Sequence, residues 1–314
     1  MQRLFVAVRT GLSEYRSYSR QRGNRWSIPT PPGRKTLQPF CLSPGTERSG
    51  VPNRKTVADS PRSHSAPHAP LMPSLHIGTS GWQHDPFADR FYPDDLAQGD
   101  RLAFYANTFG TVEVNNTFYQ SPDEDTLRAW RRQTPDAFTF AIKANQYITH
   151  FKKLKDPVEP VQNLYRNVAP LGDKLGPLLF QCPPNWHQNL DRLHSFLETL
   201  DDTHRHVFEF RDPTWLNVGT TRALAARDAA FCVYDYGDRE TLRTVTTDWV
   251  YVRLHGAGEA YRGRYSDAAL DDWARQIRDW MDEGRDVYFY FNNTAGEGHA
   301  PHDAQRLRKR LATG

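Results

Sequence analysis

From residue 75 onward the chain alternates short apolar or aromatic runs with stretches whose apolar residues recur every three or four positions. The runs cover 75–80, 111–119, 138–143, 177–182, 206–211, 230–236, 249–255 and 286–293. They are rich in β-branched and aromatic residues and bounded by turn formers, which predicts strands. The stretches between them read as amphipathic helices. In 267–283, Leu270, Trp273, Ile277, Trp280 and Met281 form one stripe, with Gly284 placed as a C-cap. Ala304, Leu307 and Leu311 repeat it in the last helix. A helix over 123–132 opens with Asp123, Glu124 and Asp125, as the helix dipole favours.

Eight strand–helix units over about 250 residues predict one (β/α)8 TIM-type barrel. The alternative, a doubly wound open sheet, usually carries a glycine-rich phosphate turn after its first strand, and none is present. The link from Tyr236 to Trp249 is too short and turn-rich for a full helix, so an abbreviated or missing helix is expected there.

Within buried parallel strands polar residues are out of place, yet they gather near the C-terminal ends of these. Glu113 and Asn115 lie two apart in the second run, and Lys143 ends the third. Glu209 and Arg211 share a face of the fifth, Asp235 belongs to the sixth, Arg253 and His255 share a face of the seventh, and Asn292 and Asn293 end the eighth. In a barrel one face of every strand converges on the axis, so Glu113, Glu209, Arg211, Arg253 and His255 are expected in one polar layer at the C-terminal mouth. Three carboxylates (Glu113, Glu209, Asp235) balance three cations (Lys143, Arg211, Arg253). A purely structural account pairs Glu209 with Arg211 and Glu113 with Arg253. A catalytic account uses Glu209 or Glu113 as base, His255 as acid partner and Lys143, Arg211 and Arg253 to hold an anion. Trp82 and Trp215, at strand ends with polar neighbours, are candidates for stacking on a ring of the ligand.

The runs Ile77-Gly-Thr-Ser-Gly-Trp82, Glu113-Val-Asn-Asn-Thr-Phe-Tyr119, Phe140-Ala-Ile-Lys143, Phe208-Glu-Phe-Arg-Asp-Pro-Thr-Trp215, Tyr251-Val-Arg-Leu-His-Gly256 and Tyr290-Phe-Asn-Asn293 resemble the YecE-like family, domain of unknown function 72. The resemblance spans about 75–311. It implies a TIM-type barrel and no established reaction. It places the family's polar signature on Trp82, Glu113, Asn115, Lys143, His150, Glu209, Arg211, Trp215, Arg253, His255, Asn292 and Asn293. The sequence departs from the family at Thr294, where an acid is common, and in its long basic N-terminal segment.

Charge separates that segment from the rest. Residues 1–72 hold 12 Lys and Arg against Glu14, Glu47 and Asp59, leaving 28 basic and 34 acidic residues in 73–314. Rich in Pro, Ser and Arg and lacking apolar periodicity, 1–73 is expected to be a disordered extension of the barrel domain at 74–314. It reads as a basic nucleic-acid arm, a targeting peptide or, the preferred reading, a misassigned start, with Met72 as initiator. No run approaches the length of a membrane span, and three cysteines (Cys41, Cys182, Cys232) are too few for a disulfide framework, so a reducing, cytoplasmic setting is expected. No metal set and no cofactor motif is evident. Oligomeric state is not legible. The expected function is acid/base catalysis (hydrolase, isomerase or lyase) on a small polar or anionic ligand such as a sugar phosphate or organic acid. The alternatives are a nucleic-acid-binding or phosphodiester-processing barrel, which the acidic folded part disfavours, and a non-catalytic binding protein.

Overall fold

The computed structural model describes residues 72–313 apart from 89, 238 and 242. The expected disordered extension therefore falls, but for its last two residues, outside the described residues. Eight parallel strands form a nearly closed barrel: β1 (Leu75–Thr79), β2 (Thr111–Val114), β3 (Thr139–Lys143), β4 (Leu175–Cys182), β5 (His206–Phe210), β6 (Ala230–Gly237), β8 (Trp249–Ala257) and β9 (Asp286–Phe291). β7 is a two-residue antiparallel strand, Arg239–Glu240, folded back on β6. The link between β6 and β8 forms no helix among its described residues, as its length and turn content predict. Thr241 and Thr246 instead accept the backbone N–H groups of Tyr234 and Phe231 through their hydroxyls.

Helices cover the outside of the barrel: α1 (Asp85–Ala88), α2 (Arg101–Thr108), α3 (Glu124–Gln133), α4 (Val158–Val168), α5 (Leu190–Leu197), α6 (Val218–Ala225), α7 (Asp267–Asp282) and α8 (Ala300–Ala312). The predicted stripe of α7 is buried at Leu270, Trp273, Ile277 and Trp280, and Gly284 closes the helix at φ 82°. In α3, Asp123 stands outside the helix as its N-cap, its carboxylate accepting the Thr126 N–H at 2.8 Å. That carboxylate satisfies a donor the first turn would otherwise leave free.

Strand alternation divides the apolar residues into two separate clusters. Outward-facing Val112, Phe140, Phe180, Phe208, Val252 and Phe289 join the helix stripes in the main core. Inward-facing Ala141, Leu179, Val207, Cys232, Tyr251 and Tyr290 fill the barrel. This is the period-2 geometry of a strand buried on both faces.

The barrel closes at its weakest seam between β1 and β2, where the strands share a single bridge, Ser80 to Glu113. Side chains make up the difference. Tyr105 of α2 accepts from the Thr79 N–H at 2.9 Å and donates to the Thr111 carbonyl at 3.0 Å. Ser80 Oγ donates to Glu113 at 2.6 Å. Gly78 allows this approach, because a Cβ there would stand 2.3 Å from the Thr111 carbonyl oxygen. Gly78→Ala is therefore expected to destabilise the protein by about 3 kcal/mol in urea denaturation, since backbone on the neighbouring strand would have to move.

Candidate active site

Arg253, on β8, is the centre of the polar layer and is 1% exposed. Its Nε and Nη2 donate to the two carboxylate oxygens of Glu113 at 2.9 and 2.8 Å, and its Nη1 donates to Glu209. Glu209 also accepts from Arg211 Nε. Glu113 is completed by Ser80 Oγ at 2.6 Å and the Tyr251 hydroxyl at 2.7 Å. β2, β5 and β8 thus bring Glu113, Glu209, Arg211, Arg253 and His255 into one network, as the shared strand faces require. Both pairings of the structural account are present within it.

The network sets its own protonation. Burial alone would raise the pKa of Glu209, but Arg211 and then Arg253 hold it far below the usual carboxylate range. Glu113 is likewise lowered: burial opposes, and Arg253, Ser80 and Tyr251 prevail. His255 Nε2 faces two donors, Arg211 Nη2 at 2.8 Å and Arg253 Nη1 at 3.1 Å, so it accepts. The proton then sits on Nδ1, which donates to the Asp235 carbonyl at 2.7 Å. Burial, Arg211 and Arg253 all push the His255 pKa well below 6.5.

These contacts revise the expected roles. Glu113, with four donors on its two oxygens, and Glu209, ionised between two guanidinium groups, are poor bases. His255 carries no ionisable proton to give at neutral pH. Arg253 spends its donors on carboxylates and His255, leaving little for an anion. Asp235 is structural too, its carboxylate accepting the His255 N–H and the Tyr265 hydroxyl, each at 2.6 Å.

Lys143, the last residue of β3, differs. It is half-buried, and its Nζ stands 4.1 Å from the centre of the Phe118 ring. Among the described residues its amine has no hydrogen bond or ion pair. Burial first, then Arg253 and Arg211, lower its pKa to about 7 against the opposing pull of Glu209 and Glu113. His150 lies nearby in the π-helical turn Tyr147–Phe151, its ring edge-on to Phe118 and bonded to the Thr149 hydroxyl at 2.9 Å. Burial, Lys143 and Arg211 lower its pKa to about 4.

The remaining candidates divide. Strand β2 stops at Val114, and Asn115 turns into αR backbone (φ −99°) with its Oδ1 buried and unpartnered. Asn292 follows the inward phase of Tyr288 and Tyr290 beyond the end of β9. Its neighbour Asn293 points outward, donating to the Gly263 carbonyl at 2.8 Å and to Asp303 of α8 at 2.9 Å. Trp82 and Trp215 are buried rather than displayed at the mouth. Trp82 packs edge-on against Trp130 at 5.0 Å, and Trp215 stacks on Phe210 at 4.4 Å with its indole N–H on the Trp186 carbonyl. Both are in the outer core, because a large indole beside a strand end buries more apolar surface under the helices than at a wet mouth. Sequence reasoning missed Ser80, Tyr251 and Gln181. Strand parity could have found two of them: Tyr251 shares the face of Arg253, and Gln181 shares that of Leu179 and registers with Glu209.

The family described as "Protein of unknown function DUF72" matches residues 76–314. The chain belongs to this family. It is 24% identical over 268 residues to the UPF0759 protein YunF of Bacillus subtilis, covering 74% of this chain and 93% of the relative. It is 29% identical over 147 residues to the UPF0759 protein YecE of Escherichia coli, covering 46% of this chain and 51% of that one. A DUF72 family crystal structure from Thermotoga maritima superposes with a TM-score of 0.70 at 26% identity, covering 76% of this chain and 99% of that chain. One from Enterococcus faecalis superposes at 0.65 with 17% identity, covering 76% and 95%. Among the described residues no helix is long and apolar enough to cross a membrane, and no group of three or more His, Cys, Asp or Glu could hold a metal ion.

Arg253→Met strands two buried carboxylates and is expected to cost about 3–5 kcal/mol in urea denaturation at pH 7. Adding Glu113→Gln to that variant should cost less than Glu113→Gln alone, a coupling above about 1 kcal/mol. The stability that Glu113 and Glu209 contribute through their lowered pKa values is complete above about pH 4.5 and is lost below it, so the Arg253→Met deficit should narrow in acid.

His255 acts in a different pH window. Its depressed pKa means that the unfolded chain takes up a proton below about pH 6.5 that the folded state refuses. Stability therefore falls as pH drops from 7 to 5, and His255→Gln should remove up to about 1.4 kcal/mol per pH unit of that slope in chemical denaturation series.

Proposed function

We propose that the protein is an enzyme that performs acid/base chemistry on a small anionic ligand at the C-terminal mouth of the barrel, with Lys143 as the proton-accepting group. The observation that carries this reading is the unpartnered Lys143 amine, brought to the strand end beside Arg211, Glu209 and Arg253. Active sites of such barrels lie at this face, and a lysine whose free base is populated near neutrality suits proton abstraction. The Glu113–Arg253–Glu209–Arg211 network supplies a charge-balanced floor, two carboxylates against two guanidinium groups. Lys143, when protonated, adds the net positive charge that attracts an anion. Arg211, whose guanidinium lies 4.2 Å from the Tyr236 ring centre, stands beside it. The phosphodiester reading has less support, because the two indoles suited to base stacking are buried.

Reductive ¹³C-methylation of the lysines with NMR titration tests the reading. The Lys143 signal, identified by its loss in Lys143→Arg, is expected to titrate near pH 7, about three units below the surface lysines. Titration together with the others would overturn it. A thermal-shift screen of the full chain against sugar phosphates, organic acids and oligonucleotides should show stabilisation by the small anions that is lost in Lys143→Met. Stabilisation by oligonucleotide alone, falling steeply with salt, would favour the phosphodiester reading.

A further inference from the structure

The carboxylates of the network, His255 and Cys232, which ordinarily attack or activate a substrate, are already engaged or buried. Glu113 accepts from Ser80, Tyr251 and two nitrogens of Arg253. Glu209 accepts from Arg211 and Arg253. The lone pair of His255 Nε2 is directed at two guanidinium groups. Cys232 lies fully buried in the barrel, its Sγ 3.9 Å from Glu209, and burial pushes its thiol pKa up. Lys143, by contrast, presents an amine with no hydrogen bond or ion pair among the described residues, over the face of Phe118.

A second unclaimed donor stands beside it. Arg211 bonds through Nε to Glu209 and through Nη2 to His255, while its Nη1 has no hydrogen bond among the described residues. Arg211 is near enough to Lys143 to disfavour its protonation. A nucleophilic amine and a free guanidinium edge within one electrostatic neighbourhood suit a ligand with an electrophilic carbon next to an anionic group.

We propose that Lys143 is a covalent nucleophile that forms an imine with small carbonyl compounds bearing a carboxylate, the 2-oxo acids being the simplest class. This rests on the reading of Lys143 as the uncharged amine of the site. In the step, the Nζ lone pair attacks the carbonyl carbon, the C–N bond forms and the C=O π pair moves to oxygen, which takes up a proton. The nitrogen loses one proton, the hydroxyl takes up a second proton and leaves as water as the C–O bond breaks, and the nitrogen then loses its other proton. Amine and carbonyl become imine and water, with no oxidant or reductant consumed. Arg211 Nη1 holds the carboxylate. The imine, once protonated, draws electrons from the adjacent carbon, which is the chemistry an isomerase or lyase requires.

The test is reductive trapping on the full chain at neutral pH, with pyruvate and cyanoborohydride, followed by peptide mass mapping. The expected result is an adduct on Lys143 at least about tenfold above any surface lysine, because the free amine is far more populated there. Lys143→Arg should lose that adduct while keeping its circular dichroism and the background labelling. Replacing pyruvate by acetone, which lacks the carboxylate, should cut Lys143 labelling severalfold if Arg211 orients the acid. Even labelling of all lysines, with Lys143 still titrating near pH 7, would overturn the imine and leave Lys143 as a general base. Labelling at the background level with Lys143 titrating among the surface lysines would overturn both.

Discussion

A buried guanidinium shared between two carboxylates is the constraint on which the barrel interior depends. Arg253 touches Glu113 from β2 and Glu209 from β5, so three separate strands are tied at one point near the axis. Ions removed from water cost several kcal/mol each unless their partners are close and their remaining lone pairs are filled. Ser80, Tyr251 and Arg211 do that filling, and the arrangement is correspondingly rigid. The tie also reinforces the β1–β2 seam, since Ser80 and Glu113 are the two residues of its single bridge.

The same tie determines what chemistry is left. Carboxylates held ionised by guanidinium groups are weak bases, and an imidazole that accepts from two cations cannot be an acid at neutral pH. Reactivity therefore passes to the group outside the network. Lys143 feels the positive charges of Arg253 and Arg211 without sharing their hydrogen bonds, and burial removes water from the ammonium, which outweighs its contact with the Phe118 ring face. A floor of compensated charge beneath one uncompensated amine is an economical way to bring a lysine near neutrality, because no single interaction has to supply the whole shift.

Much of this could be read along the chain, and the failures have specific causes. Period-2 alternation put Glu113, Glu209, Arg253 and His255 on one face correctly, since strand parity depends only on backbone geometry. The same parity turns Asn293 outward, and it ceases to apply at Asn115, where β2 has ended and Thr117 turns the chain by bonding to the Val114 and Lys143 carbonyls. Trp82 and Trp215 lie deeper than their polar sequence neighbours suggest, because those neighbours say nothing about the helix that covers a side chain. Ser80 ends the first run and lies within a quoted motif, but nothing along the chain points to its bond with Glu113, which exists only because β1 meets β2 across the seam.

By itself the sequence determined the barrel, its eight parallel strands, the missing helix between β6 and β8 and the list of polar residues near the strand ends. Those follow from local periodicity and from the rule that buried strands exclude charge. Only the tertiary structure decided which of those residues are engaged with one another and which are not. That depends on distances between side chains drawn from strands far apart in the chain, which residue spacing does not record.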